Sequence, residues 1–247
     1  MSQRTVIVLA AGKGTRMKSD LPKVLVEVCG RPMIHYVIDA VEQGGADRTI
    51  VVIGYRGELV RSALAGREHV EFVVQAEQLG TGHAVMACRD LLDDHTGAVL
   101  VLAGDQPMTQ AASVAGLFEQ FEREPAACVI GTTYKQNPAG LGRIVRDTDD
   151  NFAAIVEHKD ATPRQRRIKE VNLSYYVFHW PDLLPVLEQI RADNAQREYY
   201  ITDAPELLLG RGKSVRAIDL LKPCESLSIN TVEELAAVEE AIRGNAD

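Results

Sequence analysis

Short apolar runs alternate with longer amphipathic segments over the first half of the chain. The runs have strand length and are rich in β-branched residues, whereas the segments between them space their apolar residues as helices do. Strands are predicted at residues 5–10, 49–54, 70–74, 99–103 and 127–132. Such alternation is typical of βαβ units, and continuous apolar runs are typical of strands covered on both faces. The pattern predicts a Rossmann-like α/β fold with a doubly wound, mainly parallel sheet.

The predicted helices have recognisable ends. Pro32 suits the first turn of a helix, apolar residues then recur one turn apart from Met33 to Val41, and the pair Gly44 and Gly45 would end it. Helical spacing predicts further helices at residues 83–92, 114–121, 180 to about 190, 200–209 and 231–243. The last of these is amphipathic.

The pattern changes after about residue 135. Strand-like segments follow, GRIVRD, FAAIVEHKD and EVNLSYYVFH, and turn residues or a polar stretch separate them. We interpret this region as a small, partly antiparallel lobe on the edge of the sheet. A length of 247 residues is within the range of large single-domain α/β proteins. We therefore expect one domain, with a first part at about residues 1–133, a lobe at about 134–230 and a terminal helix at about 231–243.

Composition excludes several classes of protein. No apolar run approaches the roughly 18 residues that span a bilayer, and the N-terminus lacks the pattern of a secretion signal. The four cysteines are scattered without a CxxC pair, so neither a zinc site nor a disulfide framework is expected. A net charge of -8 and a pI near 5.3 argue against a surface for nucleic acid or anionic membrane. We expect a cytoplasmic protein with no nucleic-acid or membrane partner.

One loop departs from this acidic balance, the segment LAAGKGTRMKSDLPKVL at residues 9–25. It carries four cations, Lys13, Arg16, Lys18 and Lys23, and one anion, Asp20. Gly12 and Gly14 follow the first strand, but position 17 is Met, so the loop matches neither the GxGxxG dinucleotide motif nor the P-loop. A glycine-rich turn still lets backbone N–H groups approach phosphate oxygens, and the cations add charge-assisted contacts. The loop predicts a binding site for a phosphate chain.

Two other strand ends should face the same crevice, because ligands of open α/β sheets bind beyond the carboxyl ends of the strands. Asp105 ends the run VLVLAGD and could hold a hard divalent cation such as magnesium. The loop QAEQLGTGH, residues 75–83, offers amides and a hydroxyl that could read the edge of a base. Each signal alone has an ordinary structural explanation, since a GxG turn is often a tight connection and an Asp after a strand is often a helix cap. His35 and His83 are interpreted as structural.

Seven motifs together resemble a known enzyme family. In chain order they are LAAGKGTRMKSDLPKVL, QAEQLGTGHAV, GDxP, GRIVRD, IVEHKDA, EVN and NAQREYYITD, and they extend over nearly the whole chain. They resemble the uridyltransferase domain of the bifunctional N-acetylglucosamine-1-phosphate uridyltransferase/glucosamine-1-phosphate acetyltransferase. The first motif is shared across the sugar nucleotidyltransferase superfamily, whereas QAEQLGTGHAV and NAQREYYITD are much more specific.

This resemblance implies a fold and a reaction. The fold is that of the nucleotide-diphospho-sugar transferases, with a nucleotide-binding first part and a sugar-binding lobe. The reaction converts UTP and N-acetylglucosamine 1-phosphate into UDP-N-acetylglucosamine, a peptidoglycan precursor, and pyrophosphate. A sugar-phosphate oxygen would attack the α-phosphorus in line, so catalysis would consist of positioning and charge neutralisation.

The resemblance also implies roles for individual residues. Arg16 would stabilise the triphosphate and the leaving pyrophosphate, and Lys23 would bridge the attacking and α-phosphates. Asp105 and Asn230 would hold Mg²⁺, which neutralises phosphate charge. The nucleotide-binding residues would be Leu9, Ala11, Gly12, Gly14, Gln75, Gln78 and Gly80, and the sugar-binding residues would be Thr81, Gly142, Glu157 and Asn172.

The sequence departs from this family at three points. The 247 residues contain no hexapeptide repeat of the left-handed β-helix domain, so acetyl transfer and the trimer built by that domain are not expected from this chain. The segment SLSINTVEEL lacks the glycine and the arginine that usually flank the metal-binding Asn230. Ala103 stands where some members carry a larger residue near the sugar.

These departures leave alternatives open. Glucose 1-phosphate is the competing acceptor, and another nucleotide or molybdopterin would need a different set of motifs from EVN and NAQREYYITD. A regulatory subunit that binds a nucleotide sugar without catalysis would not need Lys23, Asp105 and Arg16 together. A dinucleotide oxidoreductase is disfavoured by the missing third glycine.

Overall fold

The computed structural model describes residues 3–14, 17, 19–229 and 231–244. The strands are β1 Thr5–Ala10, β2 Glu27–Val28, β3 Arg31–Pro32, β4 Arg48–Ile53, β5 Val70–Val74, β6 Ala98–Ala103, β7 Cys128–Tyr134, β8 Gly142–Arg146, β9 Phe152–Val156, β10 Glu170–His179 and β11 Val215–Asp219. The α-helices are α1 Met33–Gln43, α2 Gly57–Ala63, α3 Thr81–Met86, α4 Ala111–Arg123, α5 Trp180–Leu187, α6 Ala204–Gly210 and α7 Val232–Gly244. None of the helices in these described ranges is long and apolar enough to cross a membrane.

A mixed sheet with the strand order β11-β7-β10-β6-β1-β4-β5 forms the centre of the molecule. The strands β6, β1, β4 and β5 run parallel, and Ile7 of β1 lies in register with Ile50 of β4 and Val101 of β6. At the other end of the sheet, β11 pairs in parallel with β7. The carboxyl ends of β1, β4, β5 and β6 therefore lie along one edge. This arrangement confirms the predicted α/β class with its mostly parallel sheet.

Helices cover both faces of this sheet. Ile7 points into an apolar cluster that includes Trp180 of α5 and Leu208 of α6. Its neighbour Val8 points into a second cluster with α1, α2 and α4, to which Phe118 belongs. Successive side chains of a strand point to opposite faces, so a continuous apolar run such as β1 requires a helical layer on each side. The doubly wound architecture follows directly from this requirement.

The second part of the chain is not confined to the edge of the sheet as we had interpreted it. The strands β8 and β9 form an antiparallel pair that joins the sheet beside the first residues of β10. The remainder of β10 lies between β6 and β7, antiparallel to both. The apolar run from Tyr175 to Phe178 explains this position. All four side chains are fully buried, and a strand buried on both faces belongs in the centre of a sheet. A bulge between Asn172 and Tyr175, with Ser174 at φ 63°, separates the two halves of the strand.

The helix boundaries differ from the sequence prediction in details. Pro32 precedes α1 with φ -52° and ψ 132°, so it is the N-cap residue and not part of the first turn. The helix predicted at residues 83–92 is divided into α3 and a single 3-10 turn at Arg89–Leu92. Val85 and Leu92 are both buried, and the apolar spacing therefore continues through the break. Neither α2 nor β11 was predicted individually.

The terminal helix α7 packs in a third apolar cluster. In this cluster Val238 lies with Val28 of the β2–β3 hairpin and with Met33, Met108 and Ile229. The cluster joins α7 to the loop that follows β6. This contact matters for the site described next, because Asp105 lies in that loop.

Candidate functional site

A cavity of about 300 Å³ opens at the carboxyl ends of β1, β5 and β6. It is lined by Leu9, Ala10, Ala11, Gly12, Lys23, Val24, Gln75, Gln78, Gly80, Thr81, Ala84, Ala103, Asp105 and Glu198. Nine of these fourteen residues belong to the sites predicted from the sequence, although they come from four separate segments of the chain. The fold therefore brings the glycine-rich loop, the amide-rich loop and the aspartate into one crevice.

The glycine-rich loop closes onto Lys23. The backbone N–H of Lys23 donates to the carbonyl oxygen of Gly12 at 3.3 Å. Gly14 has a φ of +67°, and a Cβ atom there would lie 2.7 Å from the Cβ of Lys23. Only glycine combines this left-handed conformation with so close an approach. Gly14 does not line the cavity itself, but it fixes the position of a residue that does.

Lys23 forms an ion pair with Asp105 inside the cavity, through Nζ and Oδ2. Asp105 lies two residues after the end of β6, and the intervening Gly104 donates its N–H to the carbonyl oxygen of Leu9 at 2.9 Å. The two side chains are 14% and 22% exposed, so the pair is partly withdrawn from water. The cation and the anion predicted to act on phosphate therefore contact each other in this structure.

The donor chemistry at Asp105 suits a hard cation. A carboxylate oxygen is the ligand type that Mg²⁺ prefers, and Mg²⁺ is commonly held by one or two carboxylates together with substrate phosphates. In the part of the chain that the structure describes, no three His, Cys, Asp or Glu residues form a ready-made metal cluster. The site thus fits an ion whose remaining ligands come from phosphate and water. Asn230, the other predicted metal ligand, and Arg16 lie outside the described residues.

The amide-rich loop is held by its own side chains. Gln75 is buried, and its Nε2 donates to the carbonyl oxygen of Gly80 at 3.0 Å and contacts Nδ1 of His83 at 3.1 Å. Gln78 donates to the backbone oxygen of Gln75 at 3.0 Å. These bonds give the two amides fixed orientations in the wall of the cavity. The contact with Gln75 is consistent with a structural role for His83.

A later segment of the chain is fastened to this loop by backbone hydrogen bonds. Tyr199 donates to the carbonyl oxygen of Leu79 at 2.8 Å and accepts from the N–H of Gly82 at 2.7 Å. Gly80 has a φ of +114°, and a Cβ atom there would lie 2.6 Å from the carbonyl oxygen of Tyr199. This close contact places Glu198 in the cavity wall. We did not single out Glu198 from the sequence, although it belongs to the motif NAQREYYITD.

Three of the four predicted sugar-binding residues form a second group. A Cβ atom at Gly142 would lie 3.4 Å from Oε1 of Glu157 and 3.4 Å from Cβ of Asn172. Asn172 donates to the hydroxyl of Tyr176 at 2.6 Å. The fourth residue, Thr81, lines the first cavity instead and accepts a hydrogen bond from the backbone of residue 201 at 3.0 Å.

Glu157 lines a second cavity, of about 440 Å³. The other lining residues are Gly140, His158, Lys159, Gln196 and Tyr200. Glu198 lines the first cavity, whereas Gln196 and Tyr200 line the second, so one short segment borders both. The two groups of predicted residues are therefore connected through this segment.

The second cavity has an unusual electrostatic environment. Burial raises the pKa of Glu157, the carboxylates of Asp160 and Asp203 raise it further, and Arg143 opposes this effect. Burial and neighbouring carboxylates also raise the pKa of Asp203 to about 6. Arg143 is only 1% exposed. Of the two, Glu157 lines the cavity, and a carboxyl group with a raised pKa in a cavity is typical of a functional site.

Comparison with known families adds to this geometry. The family model of the MobA-like NTP transferase domain matches residues 6–204, which include every lining residue of both cavities. The chain belongs to this NTP transferase family. This match confirms the nucleotidyltransferase superfamily that the first sequence motif predicts.

Among the relatives of this NTP transferase domain are proteins named "Bifunctional protein GlmU". The one from Pelotomaculum thermopropionicum is 44% identical over 237 residues, which cover 96% of this chain and 51% of the relative. The one from Geobacter metallireducens is 41% identical over 236 residues, with 96% and 50% coverage. The chain thus spans about half the length of these relatives.

A solved structure of UDP-glucose pyrophosphorylase complexed with UDP-glucose has the same fold as this NTP transferase domain. The TM-score is 0.78, and the alignment covers 99% of this chain and 100% of that one. The sequence identity is 17%, so the similarity concerns the fold. It agrees with the sheet topology described above.

Proposed function

We propose that the chain transfers a uridylyl group from UTP to N-acetylglucosamine 1-phosphate, forming UDP-N-acetylglucosamine and pyrophosphate. The observation that supports this most is the single cavity in which Lys23, Asp105 and the amides of Gln75 and Gln78 meet. Membership of the NTP transferase family and the similarity to half of GlmU give the reaction class. The free thiols of all four cysteines accord with a cytoplasmic location for this reaction.

In this proposal the protein supplies no nucleophile. An oxygen of the sugar phosphate attacks the α-phosphorus of UTP in line, the bond to the β-phosphate oxygen breaks, and pyrophosphate leaves. Lys23 neutralises charge on the attacking and α-phosphates, and its partly buried position strengthens that effect. Arg16 acts on the triphosphate and the leaving group.

Asp105 and Asn230 would hold Mg²⁺ at this site. When bound, the ion supplies neutralisation of phosphate charge as a Lewis acid. Lys23 and the ion would share the carboxylate of Asp105, so a bound ion would weaken this ion pair and favour contact between the Lys23 ammonium and a phosphate oxygen.

The two cavities would divide the remaining substrate between them. Leu9, Ala11 and Gly12 line the first cavity together with the two glutamine amides, which suits a flat base with both donors and acceptors. Gly142, Glu157 and Asn172, together with Thr81, would contact the sugar. The segment with Gln196, Glu198 and Tyr200 borders both cavities, so it would lie between the base and the sugar.

Pyrophosphate release tests this function. The purified chain is assayed with UTP and Mg²⁺ and with N-acetylglucosamine 1-phosphate, glucose 1-phosphate or no acceptor. We expect release with the N-acetylated sugar alone. Faster release with glucose 1-phosphate would preserve the chemistry and refute the sugar. UTP binding without release for any acceptor would favour the non-catalytic alternative.

A further inference from the structure

A carboxylate outside both cavities has an unusual environment. Glu225 lies in the 3-10 turn Pro223–Ser226 and is 0% exposed. Carboxylates are almost never fully buried unless they are paired. Within the described ranges, however, no cationic side chain lies within ion-pair distance of Glu225. The charge is stabilised by hydrogen bonds instead.

Both oxygens of Glu225 accept hydrogen bonds from fixed donors. Oε2 accepts from the backbone N–H of Lys222 at 2.7 Å and from the hydroxyl of Ser113 at 2.6 Å. Oε1 accepts from the backbone N–H of Gln110 at 3.0 Å. Burial raises the pKa of Glu225, and these donors and the Tyr175 hydroxyl oppose that effect. Gln110 is the N-cap of α4, where the helix dipole also favours a negative charge.

These bonds are part of a network that extends to the residue next to Asp105. The hydroxyl of Thr109 lies 2.6 Å from that of Tyr175 and 2.7 Å from the carbonyl oxygen of Gln106. The side chain of Gln106 donates to the carbonyl oxygen of Leu173 at 2.8 Å. Gln106 is bonded directly to Asp105, so the network ends at the cavity.

The same segment is fixed a second time, closer to position 230. Ile229 is 0% exposed and belongs to the apolar cluster that also contains Met108. The chain from Glu225 to Ile229 is therefore attached at both ends to the loop that follows Asp105.

We propose that Glu225 is a positioning residue for the metal site, because its buried carboxylate fixes residues 225–229 against the loop that carries Asp105 and so holds that loop in place. Glu225 thereby sets the affinity of the protein for its divalent cation without touching the ion. This inference rests on the proposed function, which assigns the metal to Asp105 and Asn230.

The geometry requires a carboxylate and not merely a polar side chain. The backbone N–H groups of Lys222 and Gln110 point at different oxygens of Glu225. In a glutamine at this position, either orientation of the amide would face its NH₂ group toward one of these two donors. One backbone contact must then break, and the segment must shift away from α4.

The experiment is a titration of the metal-free full chain with Mn²⁺, followed by electron paramagnetic resonance of the free ion. For Glu225→Gln we expect at least fivefold weaker Mn²⁺ binding, a higher Mg²⁺ concentration for half-maximal turnover, and a turnover at saturating metal close to that of the wild type. Ser113→Ala removes one bond of the network and should shift the affinity in the same direction by less. It keeps the test valid if Glu225→Gln does not fold.

Glu170→Gln is the matched control. Glu170 is also a buried carboxylate, 4% exposed, but its partners are Arg146 and Thr132 on the other side of the sheet. We expect it to lower the thermal stability and to leave Mn²⁺ affinity unchanged. If Glu225→Gln and Ser113→Ala lower stability but bind Mn²⁺ as the wild type does, Glu225 is only structural and the inference is wrong.

The failure of the inference can be distinguished from the failure of the proposed function. Mn²⁺ binding that depends on both Asp105 and Glu225, in a chain that releases no pyrophosphate, would refute the function and support the inference. Pyrophosphate release by a chain whose Mn²⁺ affinity does not depend on Glu225 would do the opposite. The absence of Mn²⁺ binding dependent on Asp105 would overturn the inference as well.

Discussion

Replacing Lys23 by alanine should change metal binding and turnover in opposite directions. In the free protein the ammonium of Lys23 contacts Oδ2 of Asp105, so its positive charge competes with a metal ion for this carboxylate. Lys23→Ala removes the competing cation, so the nucleotide-free chain should bind Mn²⁺ more tightly. The same change removes a positive charge from the transferring phosphate, so turnover should fall.

The size of both effects follows from the ion pair. Unit charges 4 Å apart near a protein surface attract by about 4 kcal/mol, whereas exposed pairs contribute about 0.2–1 kcal/mol in measurements. The side chains of Lys23 and Asp105 are 14% and 22% exposed, which places them between these limits. An intermediate value of about 1.4 kcal/mol corresponds to a tenfold change in affinity. We expect Mn²⁺ binding to strengthen about tenfold and turnover to fall at least about tenfold.

The assay combines Mn²⁺ titration of the free chain with pyrophosphate release. Lys13→Ala is the control for metal binding, because Lys13 is a cation of the same loop whose Nζ lies 5.0 Å from the centre of the Tyr55 ring. It should leave the Mn²⁺ affinity of the free chain unchanged. Asp105→Asn in the Lys23→Ala background should abolish the gain. Unchanged or weaker Mn²⁺ binding by Lys23→Ala would refute the competition between lysine and metal.

Two further predictions concern the backbone and the pH dependence. Gly14→Ala should lower turnover at least about tenfold, because its Cβ would lie 2.7 Å from that of Lys23, whereas Gly66→Ala, with a φ of +88° but open space around its Cβ, should affect stability alone. Thermal unfolding and pyrophosphate release measured on both variants check this. The pKa of Asp203 is raised from 3.8 to about 6, so the folded protein binds the proton of this carboxyl group more tightly than the unfolded chain does. The stability that this proton confers is therefore lost as the pH rises through about 6. Asp203→Asn should therefore unfold at a higher temperature than the wild type above pH 6, and the difference should disappear near pH 4; a constant difference between pH 4 and 8 would refute the raised pKa.

Much of the fold could be predicted because its signals are local. The strands β1 and β5 have the predicted boundaries, and the apolar period of α1 and its closing glycine identified that helix. The position of β10 could not be predicted in this way. Its order in the sheet depends on pairing with β6 and β7, which are distant in the sequence. Apolar spacing also continued through the break after α3, so periodicity alone did not reveal the end of that helix.

In the candidate site, too, local signals predict some residues, whereas others are placed by contacts between distant parts of the chain. Residues that follow strands, such as Asp105 and Gln75, were found because the carboxyl ends of parallel strands meet at one edge. Glu198 was missed because a backbone pairing between two distant loops places it in the cavity. Glu225 carries no motif of its own, and its burial becomes visible only in three dimensions.

A crystal structure of the chain with UDP-N-acetylglucosamine tests the central claim most directly. We expect the uracil against Gln75 and Gln78, the diphosphate beside Lys23, and the sugar against Glu157 and Asn172. The Lys23 ammonium should have moved from Asp105 to a phosphate oxygen. A nucleotide sugar bound elsewhere, for example in the cavity beside His179 at the opposite edge of the sheet, would contradict the account.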